Sequence, residues 1–90
     1  MSENMMSAHG ELFKAILKLK TEEDCKNFFD DLCTYKELDS MAQRVVAAKL
    51  LLGGETYEKI IEKTEISSAT LSRVSRCVKH GKGYAKFLKK

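Results

Sequence analysis

The stretch "TEISSATLSRVSR", Thr64 to Arg76, carries six hydroxyl side chains and two arginines within thirteen residues. Hydroxyls both donate and accept hydrogen bonds, so they can meet base edges or phosphate oxygens. They are also short, which lets a helix approach a groove closely. Ser67, Ser68, Ala69 and Thr70 open a helix here, with Ser72 and Arg73 one turn on. The free N–H groups of a helix start can hold a phosphate. Ala69 and the Thr70 methyl can touch a thymine methyl. Arg76, Lys79 and Lys82 follow as candidate phosphate contacts, with Lys59 and Lys63 as weaker ones. The chemistry on offer is recognition of double-stranded DNA rather than bond making.

Other constellations fall short of a site. Cys77 and His80 are separated by two residues, but no further pair at metal-ligand spacing accompanies them, so no zinc site is expected. There is no Ser/His/Asp arrangement, and "GGE" lacks the Lys-Ser/Thr that follows a phosphate-binding glycine loop. Glu22, Glu23 and Asp24 form an acidic cluster, but they stand at a helix start, where the dipole favours them. No catalytic residue is expected and the chain is not read as an enzyme. Arg44 stands out because it interrupts an apolar helix. It either pairs with Asp39, Asp30 or Asp31, snorkels to solvent, or faces a ligand pocket.

Positioning these groups requires a frame, and the spacing of apolar residues predicts an all-α one. Residues 1–7 read as frayed, and a first helix runs from Ala8 to about Lys20 with Leu12, Phe13, Ile16 and Leu17 as its stripe. Thr21 caps a second helix, whose stripe is Cys25, Phe28, Phe29 and Leu32. "TYKE", a capping box of Thr34 and Glu37, opens a third from Tyr35 to Leu52. Gly53–Gly54 stop it by offering a residue free to take positive φ. Leu38, Met41, Ala42, Val45 and Leu52 share one side of this helix, and Val46, Ala47, Leu50 and Leu51 cover most of the rest. A helix apolar nearly all round is buried. Ninety residues supply few elements to surround it, so a second copy is expected to help.

Thr56 then begins a fourth helix, Tyr57 to Lys63, and Ser67 caps a fifth, Ser68 to about Val78. Together 56–78 form a helix-turn-helix, in which Ile60, Ile61, Ile66 and Leu71 meet. The rival reading is a plain two-helix hairpin serving protein interaction, where serine and threonine merely cap. Two residues fit the DNA-reading unit poorly. Glu65 stands where the turn prefers glycine and positive φ, at a cost of roughly 1–2 kcal/mol. Ile61 stands where close helix packing usually wants alanine. After "GKG" a last helix runs from Tyr84 to Lys89.

Charge is distributed unevenly along this frame. The net charge is +3, but residues 1–55 hold seven Lys/Arg against ten Asp/Glu, while residues 56–90 hold nine against three. No acid follows Glu65. A basic half of this kind points to a polyanion partner. Three cysteines, Cys25, Cys33 and Cys77, form no CxxC pair and read as buried free thiols of a reducing compartment. The start of the chain is no signal peptide, and the apolar run Leu50–Leu52 is too short to span a membrane. A cytoplasmic protein of one domain is expected: 8–52 for dimerisation, 56–78 for the helix-turn-helix, and 84–89 as the closing helix.

The segment from about Leu32 to Leu88 resembles the tryptophan-repressor superfamily, most nearly its YerC/YecD-type branch. "MAQRV", "LLLGGETYEKI" and "SSATLSRVSRC" carry the densest matches. The resemblance implies a six-helix, intertwined homodimer whose fourth and fifth helices bind operator DNA. It also implies a small-molecule pocket. In the tryptophan repressor two arginines hold the indole and a threonine helps hold the carboxylate; these correspond to Arg44, Arg73 and Thr34. Cys77 stands at a nearby serine position and Val74 at a glycine position, where its side chain competes with an indole. The interhelix turn is one residue shorter. An anion, another small molecule, or no effector at all are the alternatives this leaves.

Overall fold

The computed structural model describes residues 3–89, with side chains from Ser7 onward. It contains six helices and, among the described residues, no strand: α1 Glu3–Ile16, α2 Glu22–Leu32, α3 Tyr35–Leu52, α4 Tyr57–Thr64, α5 Ser68–His80 and α6 Tyr84–Leu88. They fall into two compact units, Met1–Tyr35 and Lys36–Lys90.

In the first unit, α1 is displaced from its expected bounds at both ends. It starts at Glu3 rather than Ala8, because neither glycine nor proline interrupts the chain before Gly10 and an acid stands at its start. Residues 1 and 2 of the segment read as frayed lie outside the described residues. It stops at Ile16 rather than Lys20. The N–H groups of Lys18 and Leu19 donate to the carbonyls of Ala15 and Ile16, three residues back, so the last turn tightens and ends. The chain must then reach the extended conformation of Thr21, whose hydroxyl accepts from the Asp24 N–H at 3.0 Å. The Asp24 carboxylate in turn accepts from the Lys20 N–H at 3.1 Å. On α2, Lys26 and Asp30 pair at 2.9 Å, and this bond together with the Asp30 charge raises the Lys26 pKa.

The α2 stripe is not buried as expected. Phe28 and Phe29 are half-buried and meet edge to face at 5.6 Å, but Cys25 is exposed and Leu32 is 49% exposed. Two helices have too little surface to enclose such a stripe. The thiols follow suit: all three are free, but Cys33 and Cys77 are only half-buried.

The second unit holds the core. Ala47 and Ala48 of α3, Ile60 of α4, Ile66 of the turn, and Leu71 and Val74 of α5 are all buried. Each large side chain here contributes about 1.5–3 kcal/mol through its removal from water. Ile61, standing where alanine is expected, is half-buried and packs at the edge of this core. Contrary to expectation, α3 is not buried all round: Val45 and Val46 remain 39% and 48% exposed. One copy covers chiefly the face that carries Ala47 and Ala48, while Ala42 is exposed.

The helix ends show why the segments stop. After α3, Gly54 takes φ +89°. Its N–H donates to Leu51 and that of Glu55 to Leu50, the paired bonds of a Schellman stop. Helix α5 runs two residues past the expected Val78, to His80, where the Gly81 N–H bonds the Cys77 carbonyl at 2.8 Å. A Cβ at Gly81 would lie 2.5 Å from that oxygen, so glycine is needed there for close approach.

Candidate nucleic-acid interface

The helix-turn-helix is built from two caps and one strained turn. Thr56 caps α4 by accepting from the Lys59 N–H at 3.3 Å. Ser67 caps α5 by accepting from the Thr70 N–H at 3.1 Å, and its own hydroxyl donates to the Thr70 hydroxyl at 2.9 Å. Between them Glu65 adopts φ 60°, ψ 18°, the left-handed conformation expected for it. Among the described residues it is the one non-glycine with positive φ.

These ends fix which way α5 turns its faces. Leu71, Val74 and Ser75 face the interior, with Cys77 and Val78 half-buried beside them. Ser68, Ala69, Ser72, Arg73, Arg76 and Lys79 are exposed, and so are Ser67 before the helix and Lys82 after it. Thr70 is half-buried at the border. The hydroxyls lie toward the helix start and the cations toward its end. That order suits a helix whose first turns enter a groove while its later turns meet the backbone.

The structure also ranks the candidates. The Ser67 hydroxyl is occupied by the cap, so its first task is to start the helix. Ser68 and Ser72 carry exposed hydroxyls without a partner among the described residues. On α4, Lys59 is exposed, while Lys63 is held by Glu55 at 3.2 Å. Ser75, which lies within the hydroxyl-rich stretch, is only 4% exposed and belongs to the interior. Its place three or four residues from Leu71 and Val78 is the spacing that marks it.

The four residues implied for a small-molecule pocket are placed differently. Arg44 and Arg73 are exposed and make no ion pair among the described residues, so Arg44 does not use Asp39 of its own helix. Cys77 lines an apolar groove of about 440 Å³ with Val45, Tyr84 and Phe87, which neither arginine lines. Thr34 is exposed and belongs to the first unit. Val74 points into the core at 1% exposure. No group of His, Cys, Asp and Glu that could hold a metal ion occurs among the described residues. Nor is any helix of the described residues long and apolar enough to cross a membrane.

Two helices, α4 and α5, joined by a tight turn, with a polar, basic face on the second, form a helix-turn-helix unit. Sequence comparison gives the family: the model for "Trp repressor protein" matches residues 8–90, and the chain belongs to that family. It is 52% identical over 71 residues to the uncharacterized protein YerC of Bacillus subtilis (strain 168), covering 79% of this chain and 68% of that protein. Two crystal structures are similar throughout. A Trp-repressor candidate from Staphylococcus aureus matches with TM-score 0.88 and 42% identity over 98% of this chain and 91% of that one. A TrpR-like protein from Eubacterium eligens ATCC 27750 matches with TM-score 0.85 and 42% identity over 93% and 94%. The all-α fold and the YerC-type branch expected from the sequence are thereby borne out. The family is one of DNA-binding regulators, not of enzymes.

Proposed function

We propose that this chain is a homodimeric, sequence-specific regulator of transcription that reads a near-palindromic operator. The observation that carries the reading is the division of α5: a buried face of Leu71, Val74 and Ser75, and an exposed face of hydroxyls followed by Arg73, Arg76 and Lys79. Ser68, Ala69, Thr70 and Ser72 supply discrimination among bases, and Ser67 sets the helix start beside them. Arg76, Lys79 and Lys82 supply salt-dependent affinity for phosphate.

A second copy is supported by what one chain leaves uncovered: Phe13, Leu17, Leu32, Val45 and Val46 are between 39% and 81% exposed. Two-fold symmetry then sets half-site centres roughly one helical turn, ~34 Å, apart. Arg44 and Arg73 are the proposed effector residues, because both are exposed and uncommitted to any acid among the described residues; Thr34 and Cys77 enter that proposal only through the family resemblance. Calorimetry with L-tryptophan and related indoles tests that part; silence with all of them leaves the arginines to DNA or to the fold. Work on DNA, together with free thiols, fits a cytoplasmic protein.

A gel shift at low and at raised salt tests the central reading. Binding at low salt that weakens steeply as salt rises is expected. Absence of any duplex binding at low salt would instead leave a helical protein-interaction module, with the helix-turn-helix serving as packing.

A further inference from the structure

The turn that aims α5 is strained at Glu65, yet it lacks the glycine that would relieve it. Something else must hold it. The Glu65 N–H closes on the Ile61 carbonyl at 2.8 Å. The Thr64 hydroxyl donates to the Ile60 carbonyl at 2.7 Å and accepts from the Ile66 N–H at 3.2 Å, so one side chain bridges both sides of the turn. The carbonyl of Thr64 itself lies in the last turn of α4, where no later helical N–H can reach it. Gln43, twenty-one residues earlier on α3, supplies the donor: its Nε2 reaches that oxygen at 2.8 Å, in a half-buried position.

We propose that Gln43 is a positioning residue for DNA recognition. Its amide clamps the final carbonyl of α4, holds Glu65 in the left-handed conformation, and so sets the angle at which the start of α5 leaves the turn. The proposal rests on the reading of α5 as the DNA-reading helix. It assigns Gln43 no contact with DNA. The clamp acts chiefly on Ser68, Ala69 and Ser72, whose contacts with base edges tolerate little misplacement. Arg76, Lys79 and Lys82 hold phosphates through long, adaptable side chains and depend on it less. Loss of the clamp therefore lowers discrimination more than total affinity.

Three variants and two readouts test this. The probes are the duplex that the unmodified chain enriches from a random pool and a random-sequence duplex of equal length. Gln43→Ala should weaken binding to the enriched duplex roughly five- to tenfold while changing the random duplex by less than about twofold. Gln43→Glu keeps the shape but loses the donor, so it should do no better. Glu65→Gly frees the turn from needing the clamp; in that background Gln43→Ala should cost much less. Equal losses on both duplexes, or effects of Gln43→Ala and Glu65→Gly that simply add, overturn the proposal.

Amide hydrogen exchange reads the clamp without DNA. Gln43→Ala should speed exchange at Glu65 and Ile66 by about tenfold, ahead of any change in the middle of α5. Unchanged exchange at the turn overturns the clamp even if DNA binding falls. Failure of the unmodified chain to enrich any duplex removes the DNA reading and the role in recognition with it, while exchange still reports whether the clamp exists.

Discussion

The two units of this chain handle their apolar residues in opposite ways. In Lys36–Lys90 six apolar side chains from α3, α4, the turn and α5 are buried, at no more than 2% exposure. In residues 7–35 not one side chain is buried, although that segment brings Phe13, Ile16, Leu17, Phe28, Phe29 and Leu32. The helix-turn-helix unit closes its own core; the N-terminal unit offers apolar stripes that a single chain leaves open. An element that must present a rigid face to a ligand is thus supported from within. An element whose proposed task is to bind a second copy keeps its apolar surface available.

Core truncation should give the largest effect. Leu71→Ala removes a fully buried side chain and should cost about 2–5 kcal/mol, read from the urea midpoint. A loss well under 1 kcal/mol would break the contrast, because the second unit would then not be self-supporting. Next comes the open surface of the first unit. Phe13→Asp with Leu17→Asp should weaken self-association by about 2–4 kcal/mol, shifting the sedimentation equilibrium toward monomer. Unaltered mass at every concentration would remove those residues from the proposed dimer interface.

Smaller effects sharpen the division within α5. Arg76→Ala with Lys79→Ala should leave melting nearly unchanged, weaken DNA binding about tenfold, and lower the salt slope by about 2. An unchanged slope takes both residues out of the phosphate contacts. Ser67→Ala should lower stability by about 1 kcal/mol through the lost cap. Lost DNA affinity at full thermal stability would instead make Ser67 a contact residue before a capping one.

Much of the frame was legible because the signals are local. The Ser67 cap, the Gly53–Gly54 stop and the positive φ at Glu65 each follow from a few neighbouring residues, and the structure repeats them. The helical period placed Leu71 inside on spacing alone. What escaped depends on distance or on surroundings. Gln43 reaches a carbonyl twenty-one residues away, and no spacing rule marks it. The end of α1 depends on how the chain enters Thr21. Cys25 and Leu32 fit a buried stripe by period, but periodicity cannot say whether one chain supplies the cover. Gly81 reads as a breaker, whereas its role is set by the nearness of the Cys77 oxygen.

The most direct test of the DNA-reading helix is selection from random duplexes by the unmodified chain. A two-fold symmetric motif with half-site centres ~34 Å apart is the predicted result, with enrichment falling when Ser68 and Ser72 are replaced by alanine. Recovery of all sequences equally at low salt would contradict it, leaving α5 as a basic surface without discrimination.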